Sequence, residues 1–353
     1  MQSWRATHEP LMWGLASRAP LLLSVGLAAA CEGSDISGDP VAGEADIVDI
    51  MTYNIFHDGE SSDRGIEAWP ERRDAVVEII RGQGPDVLGL QEAEVWQVDW
   101  LLDRLPEYAA VARGPYEDPD VAEAETVAIL YREGRFHLEE SGHFWYSDSP
   151  DSPGSYGSAE FGGMSRPRMA TWARLRSEGS TSAAGALYVF NTHFVPDGTA
   201  DDPDLARSRS AELLVRRIAE RAHADEPFAV VGDLNLTPDE WPLRYLLGNR
   251  CESGSDCPEP SPGPQLRMTD AWAALNPGGG DEGTRCNAIT GSDGPRVDYV
   301  LVYHPTPVAG SCDLGPGPCE PPEVLDADIV ASGSGCPSDH RPVVATIAFP
   351  PGR

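Results

Sequence analysis

Phe228-Ala229-Val230-Val231-Gly232-Asp233-Leu234-Asn235 is an apolar run that ends in a glycine, a carboxylate and an amide. A short apolar run bounded by turn-forming residues fits a strand buried on both faces. A polar residue directly after such a strand is held rigidly by the sheet while it faces a cleft. Two polar side chains one residue apart point to the same side of an extended chain, so Asp233 and Asn235 can meet one atom while Leu234 points away. Gly232 permits close backbone approach. An Asp/Asn turn is the plainer reading of the pair. Recurrence of the pattern decides between them.

The pattern recurs five times. Asn54 closes Ile50-Met51-Thr52-Tyr53, and Glu92 follows Val87-Leu88-Gly89-Leu90-Gln91. A turn and a helix N-terminal acid are the bland accounts, although Glu92 is also a hard oxygen ligand suited to Mg²⁺ or Ca²⁺. His193 ends Val189-Phe190-Asn191-Thr192; a lone His is more often structural than catalytic, so its weight depends on the others. Asp298 lies inside Arg296-Val297-Asp298-Tyr299-Val300-Leu301. An acid within an apolar strand is costly unless paired, and a His is the natural partner. Asp339-His340 precedes the last apolar strand. Alone it reads as a solvated loop pair, but with Asp298 to receive a ring N–H, His340 becomes an oriented acid/base or phosphate donor.

Eight apolar runs predict strands: Ile47 to Tyr53, Val87 to Leu90, Thr126 to Tyr131, Ala170 to Leu175, Ala186 to Phe190, Phe228 to Val231, Val297 to Tyr303 and Val343 to Phe349. Between them, Arg72 to Ile80 places Ala75, Val76, Ile79 and Ile80 on one helical face, and Leu205 to Ala222 does so with Ala211, Leu214, Val215 and Ile218. No linker interrupts the series, so one mixed α/β layered domain over residues 45–350 is expected. The segments Tyr146 to Gly163, Asn249 to Gln265, Asn276 to Pro295 and Gly310 to Pro322 are Gly/Pro/Ser/Asp-rich and predict surface insertions.

All 26 basic residues are Arg, against 57 Asp and Glu, for a net charge of −31. Schiff-base catalysis and a phosphate-loop lysine are excluded. The acidity argues against tight non-specific nucleic-acid binding, whose affinity comes mainly from cations on backbone phosphates. A local patch built from Arg64, Arg72, Arg73, Arg113, Arg166 and Arg168 stays open, as does a bound metal ion.

The N-terminus reads as an export signal over residues 1–31: Arg5 and Arg18 precede Leu21-Leu22-Leu23-Ser24-Val25-Gly26-Leu27, then Ala28-Ala29-Ala30-Cys31. Small residues before Cys31 resemble a bacterial lipoprotein processing site, and plain signal-peptidase cleavage is the equal alternative. A flexible Gly/Asp/Ser-rich linker over residues 32–44 follows. Setting Cys31 aside leaves six cysteines, an even number in an exported chain, which reads as disulfides. Cys251 with Cys257 and Cys312 with Cys319 enclose short segments, leaving Cys286 for Cys336, as one of about 15 connectivities. No Cys-x-x-Cys spacing supports zinc.

Taken in order, Tyr53-Asn54, Leu90-Gln91-Glu92, Asn191-Thr192-His193, Gly232-Asp233-Leu234-Asn235, Arg296-Val297-Asp298-Tyr299 and Ser338-Asp339-His340 resemble the motifs of the endonuclease/exonuclease/phosphatase superfamily. Phe144-Trp145-Tyr146-Ser147 with Arg168-Met169-Ala170-Thr171-Trp172 resembles a bacterial secreted branch of it. The resemblance implies a four-layer α/β sandwich, two central mixed β-sheets flanked by helices, with the site at strand ends. It implies Mg²⁺ or Mn²⁺ held mainly by Glu92, with Asn54 and Asp339 nearby. Asp233 and Asn235 would position and activate water. His340, supported by Asp298, and His193 would contact the scissile phosphate, with Arg168 a further phosphate contact. The base is either Asp233 or the Asp298/His340 pair.

The expected activity is metal-dependent phosphodiester hydrolysis outside the cell, with an extracellular endonuclease placed ahead of an esterase acting on inositol phosphates or a sphingomyelin-like lipid. A surface binding protein without chemistry is the third reading, and the completeness of the six strings counts against it. The expected partners are a phosphate ester and, as a second candidate, nucleic acid. Membrane contact is expected only through the N-terminal lipid, and the chain is expected to be a monomer. A lipid hydrolase would present an exposed aromatic loop; Phe144 to Tyr146 is the one candidate, against an amphipathic strand packed in the sheet.

Overall fold

The computed structural model describes residues 46–59, 62–118, 121, 124–178, 186–249, 266–279, 282–287, 289–290, 294–303, 322–331 and 336–349. The expected signal and linker, Cys31 and the pairs Cys251/Cys257 and Cys312/Cys319 lie outside them. In chain order the elements are β1 Asp46–Asn54, α1 Trp69–Gln83, β2 Val87–Glu94, α2 Val95–Leu102, β3 Tyr108–Val111, β4 Glu125–Arg132, β5 Phe136–Trp145, β6 Met169–Ser177, β7 Ala186–His193, α3 Pro203–Ala219, β8 Phe228–Asp233, α4 Trp241–Leu246, β9 Met268–Asp270, α5 Ala271–Leu275, β10 Asp298–Tyr303, β11 Glu323–Ile329 and β12 Val343–Phe349.

The strands form two six-stranded mixed sheets, ordered β11-β12-β1-β2-β4-β3 and β5-β6-β7-β8-β10-β9. The eight strands predicted from apolar runs are the eight interior ones. The four without such a run, β3, β5, β9 and β11, are the four edges. An edge strand is paired on one side only and keeps charge as protection against further pairing. In β5 buried and more exposed positions alternate over Phe136-His137-Leu138-Glu139-Glu140. Its last residues settle the aromatic segment: Phe144, Trp145 and Tyr146 are all buried, so the packed-strand reading holds and the exposed-loop reading falls.

Alternation along each interior strand sorts side chains into three apolar layers. Val48, Ile50, Val87, Ile129, Val189, Ala229, Val231, Val300 and Ala345 fill the space between the sheets. Met51, Tyr53, Leu88 and Leu90 face α1 and α2, and Tyr188, Phe190, Val230 and Tyr299 face the α3 and α4 side. This is the four-layer α/β sandwich. Helix α1 starts with Pro70 in its first turn and stops at Gly84, which takes φ +57° and donates its N–H to Ile80 O. Its buried face is Trp69, Arg72, Val76, Val77 and Ile80: Val76 and Ile80 of the expected face are buried, while Ala75 and Ile79 give way to Trp69, Arg72 and Val77. Trp69, lying before the predicted start, sets that change because it is the largest group the helix buries. In α3 the expected face holds, with Asp202 capping Leu205 N.

A buried polar cluster joins the sheets where they approach closely at Gly89. Asn191 on β7 reaches across and donates to Leu90 O (2.8 Å) and Ala128 O (2.7 Å) of the other sheet, and accepts from Gln91 Nε2 (2.7 Å). A Cβ on Gly89 would lie 2.5 Å from Val231 and 2.9 Å from Asn191 Oδ1, so glycine is required there. All three groups are fully buried, and removing one partner strands the others. Asn191→Leu is therefore expected to lower unfolding free energy by about 3 kcal/mol. Urea titration at unchanged m-value measures it, and a loss under about 1 kcal/mol would contradict this inter-sheet role.

Candidate active site

Strand register builds the centre of the site. β7 runs parallel to β8 with His193 opposite Asp233, and β10 runs antiparallel to β8 with Asp298 opposite Asp233. All three continue the inward-facing series of their strands, so a carboxylate sits between an imidazole and a second carboxylate on one surface. On the other sheet Asn54 prolongs the inward series of β1 and donates from Nδ2 to Glu92 Oε1 (3.0 Å) and Asp233 Oδ2 (3.1 Å). Its own oxygen accepts from Phe56 N (3.1 Å), so Asn54 orients both carboxylates.

Alternation alone would send Glu92 to the helix-covered face with Leu88 and Leu90. Instead β2 carries an irregularity against β4 between Gln91 and Ala93, and Glu92 takes φ +57° there. That conformation costs a non-glycine residue roughly 1 kcal/mol or more and turns the carboxylate to the site. Asn235 also has positive φ, +48°. The expected extended geometry from Asp233 to Asn235 is thus replaced by a turn, in which Asn235 N donates to Asp233 Oδ1 (2.8 Å). Both side chains still face the site, because the turn compensates. At Gly232 a Cβ would fall 2.0 Å from Thr192 O.

Asp298 has the partner its burial demands: His340 Nδ1 donates to Asp298 Oδ2 at 2.7 Å, and His340 Nε2 lies 3.6 Å from Asp233 Oδ2. Ser338 Oγ fixes the loop by donating to Asn54 O (2.6 Å). Burial opposes charge on His340, but Asp298, Asp233 and Asp339 outweigh it and raise its pKa to about 10. His193 goes the other way: burial, with Arg168 and His340 adding, holds it well below 6.5. It is neutral, and because Arg168 Nη1 donates to its Nδ1 (2.8 Å), its proton sits on Nε2, 3.5 Å from Asp233 Oδ2. Burial raises the pKa of Asp233, with His340 opposing and Asp298 adding.

The donor set fits a divalent cation. Asp339, 2 % exposed, keeps Oδ1 buried without a hydrogen-bond partner, while Arg64 pairs with its Oδ2. Burial, then Asp339 and Glu125, raise Glu92 to about 7. Adjacent carboxylates that repel one another, Asp339 buried and Glu92 half-buried, are a hard oxygen site for a cation. Glu92, His193 and Asp233 also offer atoms within 4.8 Å of one another.

The expected arginine patch does not assemble as a unit. Arg72 is buried and donates to the carbonyls of Ile55, Phe56, His57, Glu67 and Pro337, which locks the loop after β1 to the one before Asp339. Arg73 stacks on Trp100, and Arg113 lies over Trp145 and donates to Tyr116 O and Glu117 O. Of these six arginines, Arg64, Arg166 and Arg168 reach the site's surroundings. A cavity of about 190 Å³ beside His193 is lined by Glu125, Thr126, Arg166 and Arg168. Two contributors escaped sequence reasoning: Thr284, whose Oγ accepts from Val297 N (2.9 Å), and Arg285, which donates to Asn235 Oδ1 (2.7 Å). They sit in a Gly/Asp-rich segment with no apolar run before it, and the neighbouring Cys286 was the one signal available.

Glu92 holds a proton more tightly in the fold than in the unfolded chain. Its contribution to stability without metal is therefore present below pH about 4.5 and lost as pH rises through about 7. Metal competes with that proton. Mg²⁺ affinity by calorimetry is expected to fall roughly tenfold from about pH 8 to about pH 6, and Glu92→Gln to abolish binding while raising the melting temperature of the metal-free chain at pH 8. Affinity flat across that range would contradict a titrating Glu92 ligand.

The sequence model of the Endonuclease/Exonuclease/phosphatase family matches residues 51–340. An uncharacterized protein of Acanthamoeba polyphaga mimivirus is 24% identical over 208 residues, 57% of this chain and 71% of that protein. Among solved structures, an endonuclease/exonuclease/phosphatase from Bacteroides vulgatus superposes with TM-score 0.66 and 24% identity, covering 86% of this chain and 99% of its own. A mannosyl-6-phosphatase of Bacteroides thetaiotaomicron gives TM-score 0.63 and 22% identity, covering 86% and 100%. These structural likenesses carry the fold.

Proposed function

The chain belongs to the Endonuclease/Exonuclease/phosphatase family, whose members hydrolyse phosphoric esters, and from that premise we propose that it is an exported, Mg²⁺- or Mn²⁺-dependent hydrolase of compact phosphoesters. The observation that carries the reading is the Asp233 row: a buried carboxylate flanked by one cationic and one neutral imidazole. Phosphoester hydrolysis needs an in-line water, neutralisation of charge growing on non-bridging oxygens and help for the leaving oxygen.

Each need has a residue. Asp233 is the base, because its raised pKa suits proton acceptance while His340, held protonated by Asp298, has no free lone pair to offer. His340 Nε2–H and His193 Nε2–H are donors to the non-bridging oxygens, and Arg168 holds the His193 tautomer. Glu92 and Asp339 would hold the cation, with Asn54 orienting Glu92 beside it; when bound, the cation supplies Lewis-acid stabilisation of the phosphoryl oxygens. A compact substrate is favoured over a long nucleic acid because Arg72, Arg73 and Arg113 are engaged elsewhere and the net charge is −31. Sequence resemblance to a bacterial secreted branch, the signal-like segment and cysteine parity support export, with lipidation at Cys31 as one form of it.

Asp233→Ala and His340→Ala are each expected to lower turnover by about 10³-fold or more without unfolding the chain. Excess chelator should stop activity and Mg²⁺ or Mn²⁺ restore it. The deciding assay compares phosphosugars, inositol phosphates, a choline phospholipid, RNA and plasmid DNA with Mg²⁺, using His340→Ala as control. Wild-type rates in either variant would refute the site, and preference for plasmid DNA would refute the compact substrate. Mass spectrometry of the mature N-terminus tests export.

A further inference from the structure

Arg285 reaches the site from outside every predicted strand. Its segment is tied to the Asp339-His340 loop by three links: Cys286 N donates to Asp339 O (2.7 Å), Arg341 N donates to Thr284 O (2.6 Å), and Cys286 is joined to Cys336 by a disulfide with Cα atoms 6.2 Å apart. From there Arg285 Nη2 donates to Asn235 Oδ1 at 2.7 Å, and Nη1 stands 3.9 Å from Asp339 Oδ2.

The bond to Asn235 fixes which way that amide faces. With Oδ1 committed to Arg285, Nδ2 donates to Phe194 O (3.1 Å) and presents its second hydrogen toward His193 Nε2, 3.1 Å away. The Nε2 atom of His193 itself carries a proton, because Arg168 donates to Nδ1. Two donors thus converge where neither can accept from the other. One anionic oxygen between them satisfies both. If the amide turned over, Oδ1 would accept the His193 proton and the two groups would satisfy each other instead.

We propose that Arg285 is a positioning residue for the hydrolytic reaction, holding the Asn235 amide so that Asn235 Nδ2–H and His193 Nε2–H form a two-donor seat for a non-bridging oxygen of the phosphoryl group. The proposal rests on the phosphoesterase reading and adds the group that keeps the seat open. Arg285 acts through Asn235, so its effect depends on that residue being present.

A double-mutant cycle tests this, with bis(para-nitrophenyl) phosphate and Mg²⁺ as the probe. Arg285→Met, which keeps the side-chain stem and removes the donors, is expected to lower kcat roughly thirty-fold. In an Asn235→Ala background the same substitution is expected to cost less than about twofold, because its target is gone. Arg285→Lys, which retains an N–H donor, should recover to within about fivefold of wild type. An equal loss in both backgrounds would mean that Arg285 acts on substrate or metal directly, and overturns the proposal. So does an Arg285→Met enzyme of wild-type rate. If Arg285→Met does not fold, Arg285→Lys and its cycle with Asn235→Ala decide by the same criterion. No turnover by the wild-type chain on any phosphoester would bring down the underlying reading and this inference together, whereas wild-type turnover with no effect at Arg285 removes the inference alone.

Discussion

Asp233 ends a strand whose neighbours on both sides are paired to it in full register, and that pairing places His193 and Asp298 directly across from it. A one-residue slip on either side would turn the partner away from the inter-sheet face. The row of His193, Asp233 and Asp298 therefore depends on the same apolar packing that holds Val231, Val189 and Val300 between the sheets. Chemistry and core share one register, which is why the polar residues follow the apolar runs so closely in sequence. The close sheet contact at Gly89 and Asn191 lies just behind the row and fixes the distance between the two halves of the site.

Where the strand geometry stops, strain and buried cations take over. Glu92 and Asn235 both occupy left-handed backbone, and each does so at the point where an extended chain would misdirect its side chain. Arg72 spends its guanidinium on backbone carbonyls from both loops that border Glu92 and Asp339. Such a buried charge is tolerable because several acceptors replace its water. Its effect is to fix Asn54 and Asp339 relative to each other from behind.

Opposed electrostatics divide the two imidazoles. His340 is surrounded by carboxylates and stays cationic, whereas His193 has Arg168 at its back and stays neutral. His193 ends β7 and His340 lies in the loop before β12, and the two differ in charge through their neighbours. A site holding one charged and one neutral donor can neutralise a phosphoryl group without overbinding it.

The interior of both sheets was legible because most interior strands are buried on both faces and write apolar runs, while β12 alternates with one face fully buried. The four edge strands were not, since an edge such as Glu323–Ile329 buries little and keeps its acids. The six polar strings at strand ends were legible for the same reason as the strands they follow, and Asp298 announced its need for a partner by being an acid in an apolar run. What remained hidden was everything set by contacts distant in sequence. Arg72 looked like a surface cation, Asn54 looked like a ligand when its amide nitrogen faces Glu92, and Arg285 lay in a loop with no periodicity to mark it. The sequence by itself determined the interior strands and the chemical types gathered at their ends, because burial and alternation are local rules. Only the tertiary structure decided which way each amide faces, which histidine is charged and which arginines serve the site, because those depend on the atoms that folding brings to the other side of each group.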